Sequence, residues 1–189
     1  MDETKNKITV KLKWELDEAK VHFVNIGIPL VESFILKDIY FITNDVDINK
    51  TTNSKILSQS IVIRENINDE NEKELIYKNR NAEDIDKYDD YKMCSCPIID
   101  VDKTCEFLNI IGLKECFRYE QECLKFSNKG NNIFLEYITD LGLFLKFENN
   151  KSIEELIIDL DNLNVPYYEN DYFVKKDSLM LDLIKKKRR

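Results

Sequence analysis

The stretch Lys7–Trp14, KITVKLKW, alternates Ile8, Val10, Leu12 and Trp14 with Lys7, Thr9, Lys11 and Lys13. Successive side chains of a strand point to opposite faces, so this period of two reads as a half-buried strand, apolar on one side and polar on the other. Working outward, comparable strand segments fall at 34–42, 57–65, 73–79, 91–98, 115–126, 132–139 and 142–148. Three helices punctuate them. One runs over 17–26, with Ala19, Phe23 and Ile26 on one face. A second runs over 103–111, capped by Asp102 and stopped by Gly112. A third opens with the capping box Ser152 to Glu155 and carries Leu156, Leu160 and Leu163. About eight strands with mostly short links predict an α+β chain. The expected architecture is a closed or nearly closed antiparallel β-barrel with the helices packed outside. The expected organisation is one domain over 1–184 and a basic tail over 185–189, read as an unstructured end.

Composition bounds the function. The 189 residues are 43% hydrophobic and 34% charged, enough to fill a core beneath a charged surface. No apolar run approaches the roughly 20 residues that span a bilayer, and MDETKNK lacks a signal-like apolar stretch. The expectation is a cytoplasmic protein with no membrane partner. A net charge of −8 disfavours nonspecific nucleic-acid binding, except through the tail Lys185–Arg189. Acidic stretches near 43–55 and 80–90 read as loops. Cys94, Cys96, Cys105, Cys116 and Cys123 read as reduced thiols, since their number is odd. His22 is the only histidine and falls on a helix, so no His pair serves a metal or a nucleophile. Serine-hydrolase, zinc-protease and deaminase chemistry are disfavoured on that ground.

Several segments, taken in order, resemble the CYTH superfamily, the triphosphate-tunnel proteins that include class IV adenylate cyclases and thiamine triphosphatases. Lys7–Lys11 (KITVK) stands where that family has Glu-x-Glu-x-Lys. Asp38–Thr43 (DIYFIT) looks like its Asp-x-Tyr-Tyr/Phe segment. Ile61–Arg64 (IVIR) and Leu75–Lys78 (LIYK) stand for Leu-Arg-x-Arg and Leu-Thr-x-Lys. Ile110–Leu113 (IIGL) follows the family's Leu-Gly-Phe, and Ile133–Glu148 (IFLEYITDLGLFLKFE) follows its late acidic pattern. The resemblance covers roughly 7–165.

In that family basic side chains from several strands hold a triphosphate, while carboxylates hold Mg²⁺ or Mn²⁺; the resemblance implies both here. Phosphate needs converging Lys and Arg donors, and Mg²⁺ needs hard oxygen ligands. Lys11, Arg64 and Lys78 match phosphate-holding positions; Glu136 and Glu148 match metal positions. The departures are as informative. Both early glutamates are replaced, by Lys7 and Thr9. Val62 replaces an arginine, Glu120 and Glu122 stand for Lys-x-Arg, and Lys146 replaces the first late acid. Counting by twos gives an expected inner face with basic Lys7, Lys11, Lys13, Arg64, Lys78, Arg118 and Lys146. Its acids are Glu74, Glu120, Glu122, Glu136 and Glu148.

Three functions compete. A degenerate tunnel that binds a nucleotide, triphosphate or other anionic small molecule fits the loss of metal acids best. A cyclase or triphosphate hydrolase would need Mg²⁺ or Mn²⁺ on Glu136 and Glu148, and no catalytic residue is assigned. A scaffold protein would use the acidic loops or the tail.

Overall fold

The alternation in KITVKLKW becomes a strand because Ile8, Val10 and Leu12 are all but fully buried on one side of it. A computed structural model describes residues 6–69, 71–79, 92–128, 131–168 and 172–188. The eight strands are β1 (Asn6–Lys11), β2 (Leu30–Thr43), β3 (Ile61–Asn66), β4 (Lys73–Asn79), β5 (Lys92–Pro97), β6 (Leu113–Asn128), β7 (Asn131–Ile138) and β8 (Gly142–Asn149). The five helices are α1 (Leu16–Asn25), α2 (Asn53–Ser58), α3 (Val101–Ile110), α4 (Ile153–Asn162) and α5 (Lys176–Lys187). The strands form one antiparallel sheet in the order β1-β8-β7-β6-β2-β3-β4-β5. That order has two ends, so among the described residues the sheet is open, and the closed barrel expected above is corrected to an open sheet. The acidic stretch at 80–90 lies outside the described residues; the one at 43–55 consists of turns leading into the start of α2.

The chain divides into two compact units. The first comprises residues 1–35 and 121–175, and the second 36–120 and 176–189. In the first, Ile8, Val10, Leu145, Phe147, Ile133, Leu135, Leu124 and Phe126 form one apolar face, covered by Ala19 and Phe23 of α1 and Leu156 and Leu160 of α4. Burying such side chains contributes roughly 1.5–3 kcal/mol each, which is what holds these helices on the sheet. The capping box at Ser152 forms as the sequence implies, with Ser152 accepting from the Glu155 backbone. The outer edge of β1 is paired by the chain that follows α4. Thr9 donates to the Tyr172 carbonyl at 2.8 Å and accepts from Val174 at 3.0 Å, while Tyr168 donates to the Lys11 carbonyl at 3.0 Å. A covered edge has no free donors to template aggregation.

In the second unit, Ile39, Phe41 and Ile63 pack beneath Leu108 of α3. Their strand neighbours Asp38, Tyr40 and Val62 point to the other face. The short α2 is capped by Thr52 and buries Ile56 and Leu57. Helix α5 overturns the expectation of an unstructured tail, because Lys185, Lys186 and Lys187 form its last turn. Lys185 donates to the Thr51 carbonyl at 2.6 Å and to Asn53 Oδ1 at 2.7 Å. Asn53 in turn donates to the Ser178 carbonyl at 3.1 Å and to Asp182 at 2.8 Å. A lysine run is only a solvated end until something supplies oxygens; here Thr51, just before α2, and Asn53, its first residue, supply them.

Candidate functional site

In the first unit the face opposite the apolar core carries the charge. Register sets Lys7 opposite Glu148 and Thr9 opposite Lys146. It also sets Phe134 opposite Lys146 and Glu136 opposite Phe144. The Lys146 ammonium sits between two carboxylates, 3.4 Å from Glu136 Oε1 and 3.0 Å from Glu148 Oε1. The Glu136 side chain is 4% exposed, and those of Lys146 and Glu148 are 22% and 28% exposed. The ring of Phe134 closes the site from the side, 4.3 Å from the same ammonium. An ammonium so close to both carboxylates competes with a divalent ion for them and repels it. These residues therefore do not fit a bound Mg²⁺ or Mn²⁺. Among the described residues, no group of three or more His, Cys, Asp or Glu side chains is placed to hold a metal.

Lys11 and Lys13 belong to the same unit. Lys11 is half-buried and its stem approaches Gly142, where a Cβ would stand 3.7 Å from Lys11 Cε. Both ammoniums lie over the ring of Tyr168, at 5.8 Å and 5.5 Å from its centroid.

The second unit uses its polar face differently. Asp38 is fully buried and pairs with Arg64 opposite it in register. The guanidinium donates from Nε to Asp38 Oδ1 at 2.7 Å and from Nη2 to Oδ2 at 2.6 Å, a two-point fork. Burial works to lower the Arg64 pKa, but the Asp38 charge and hydrogen bonds outweigh it and hold it well above the ordinary arginine value. Tyr40 stacks on Phe117 at 4.3 Å and hydrogen-bonds Tyr119, both rings buried. Burial, reinforced by the charges of Asp177 and Asp38, pushes the Tyr40 phenol well up. Asp177, in the first turn of α5, is buried there. So α5 covers the face that α3 does not, and in this unit the helices are not all on one side of the sheet.

Some residues assigned to the inner face by counting lie elsewhere. Arg118 and Glu120 are exposed and alternate with buried Phe117, Tyr119 and Gln121, which places them on the face away from Tyr40 and Arg64. Arg118 forks onto Glu115. Glu122 stands opposite Tyr137, while Cys123 stands opposite Glu136, so Glu122 faces away from Glu136. Counting by twos put β6 out by one because it followed the charged Arg118, Glu120 and Glu122, whereas the positions on the other phase are Tyr119, Gln121 and Cys123. Glu74 shares the face of Arg64, and Lys78 lies opposite Met93 on β4. His22 is a structural helix residue, its Nε2 donating to the Leu163 carbonyl at 2.8 Å and its ring 4.8 Å from Trp14. Reasoning from sequence missed Tyr168 and Asp177, and neither carries a local signal.

No family model matches the chain, and no curated protein sequence matches it. Solved structures do. A Pyrococcus horikoshii protein is similar over 95% of this chain and 99% of its own, with a TM-score of 0.67 and 23% identity. A candidate adenylate cyclase of Vibrio parahaemolyticus covers the same shares at TM-score 0.64 and 15% identity. Another, from Bacillus halodurans, covers 89% of this chain and 93% of its own at TM-score 0.55 and 15% identity. These likenesses define a fold shared with candidate adenylate cyclases.

Proposed function

We propose that the chain is a degenerate triphosphate-tunnel protein of the CYTH type that binds a nucleotide or organic phosphate without metal-dependent turnover. The observation that carries this is Lys146 seated between Glu136 and Glu148, where an enzyme of that type would hold its ion. Lys146 offsets one of the two acids, and with Lys7, Lys11 and Lys13 the named side chains of this face count four cations against two acids, an excess suited to an anion. Arg64 and Arg118 contribute less, since their guanidiniums are committed to Asp38 and Glu115.

A second reading, a metal-dependent cyclase or triphosphatase, draws on the candidate adenylate cyclases that share the fold. It requires Lys146 to leave both carboxylates. A calorimetric titration with ATP and tripolyphosphate, with Mn²⁺ and then with a chelator, separates the two. Binding that is indifferent to chelation supports the module. Stoichiometric Mn²⁺ at micromolar affinity, or chelator-sensitive turnover, overturns it in favour of the enzyme.

A further inference from the structure

We infer that β5 of the second unit is a self-pairing edge, which takes the β5 of a second copy of this chain in antiparallel register about Ser95. Strand β5 ends the strand order, and among the described residues it pairs with β4 alone. The strand at the other end of that order, β1, has its outer edge closed by the chain's own 168–174 segment. Cys94, Ser95, Cys96 and Pro97 are all exposed, and so is Ile99, at 95%. From Met93 to Ile99 the sequence reads MCSCPII, a run without a charge in a chain that is 34% charged. Edges that stay single are commonly guarded by charge, Lys above all. An uncharged edge meets no like charge when laid against itself, which favours a second copy as the occupant.

The hydrogen-bond phase of β5 fixes how two copies meet. Ile98 N donates to the Lys73 carbonyl at 3.0 Å, and register sets Cys96 opposite Leu75 and Cys94 opposite Tyr77. Bonding direction alternates along a strand, so the N–H and C=O of Cys94 and Cys96 also turn to β4, and those of Met93 and Ser95 turn outward. Pro97 falls on the outward phase, where its missing N–H breaks no bond to β4. A two-fold axis at Ser95 lets Ser95 exchange both bonds with its copy, and gives each Met93 N–H the Pro97 carbonyl of the other chain. An axis at residue 94 would bring Lys92 into the ladder, and one at 96 would set Ser95 against Pro97 and lose donors. Centred on Ser95, Cys94 lies opposite Cys96 of the second copy as a non-hydrogen-bonded pair, with Cα atoms about 4.5 Å apart. A disulfide spans roughly 4.4–6.8 Å between Cα atoms, so these thiols report the register. So short a ladder falls below the roughly 1,200 Å² of a stable interface, and the reduced dimer is weak.

The test is oxidation of the full chain at high concentration by diamide, followed by a non-reducing gel and mapping of the linked peptides. Two thiols lose two protons and two electrons to the azo group of diamide, which becomes a hydrazine, and one S–S bond forms. Wild type is expected to give a dimer whose linked peptides join Cys94 to Cys96. Cys94→Ser and Cys96→Ser alone are each expected to lower the dimer yield at least about tenfold, because each leaves the remaining thiol of the pair opposite a hydroxyl. Mixing the two variants restores the dimer, since Cys94 of one chain then meets Cys96 of the other. Both positions are exposed on an edge, so neither serine disturbs the core. A dimer that persists in either single variant comes from random collision or another register, and overturns the inference. Wild type that stays monomeric, or that closes Cys94 onto Cys96 within one chain, overturns it as well.

Discussion

The two units carry the same kind of strand face and treat charge in opposite ways. In the second unit Arg64 forks onto the fully buried Asp38, on a face where the buried rings of Tyr40 and Phe117 stack. In the first unit the Lys146 ammonium lies between Glu136 and Glu148, while those of Lys11 and Lys13 lie over the ring of Tyr168. The difference teaches that a basic residue on an inner strand face is not by itself an anion ligand. What counts is whether the fold has already given it a partner. By that measure the proposed anion site draws on the first unit, since Arg64 is already forked onto Asp38.

The largest expected effect breaks the comparison directly. Arg64→Ala strands a fully buried carboxylate, and removing one member of a buried pair costs about 3 kcal/mol or more. Lys11→Ala strands nothing and should change stability by less than about 0.5 kcal/mol. Urea unfolding of the two variants checks this, and equal costs would erase the distinction between the units.

Next in size is Lys146→Met, which leaves Glu136 buried without its cation at a cost of about 2 kcal/mol. The variant should show that cost as a lower midpoint in thermal melts. It should also gain Mn²⁺ binding by calorimetry, since the competing ammonium is gone.

Lys185→Ala tests whether the basic end is part of the second unit. Losing its two hydrogen bonds to the 51–53 segment should cost about 1.5 kcal/mol and raise proteolysis of the C-terminal helix. No change in either readout would return Lys185 to the status of a solvated tail.

The smallest effect concerns the thiols. Burial pushes the Cys116 thiol up to about 11 from an ordinary 9.0. The unfolded thiol ionises first, so this contribution to stability is present below pH 9 and fades as pH rises from 9 towards 11. At pH 8 a thiol reagent should modify exposed Cys94 and Cys96 quickly, while Cys116 and Cys123 react only on unfolding. Rapid labelling of all five thiols would contradict this packing.

Sequence by itself determined the elements whose cause is local. The eight strands, α1, α3 and α4 follow from apolar periodicity and from caps such as Ser152, because each needs only neighbours within a few residues. It also displayed Lys7, Thr9 and Lys146 where the resemblance implies acids, since each is legible one letter at a time. Tertiary structure alone decided whether the sheet closes, because closure depends on the tilt and stagger of whole strands. It decided that Arg118, Glu120 and Glu122 turn away from Arg64 and Glu136, since a one-residue error in phase inverts every side chain of a strand. It formed α5, whose sequence KDSLMLDLIKKK gains its fixed place from Thr51 and Asn53, more than a hundred residues earlier. And it brought Tyr168 to Lys11 and Lys13. Contacts between residues so far apart in sequence leave no periodicity to read; they exist only once the chain has folded back and made them neighbours.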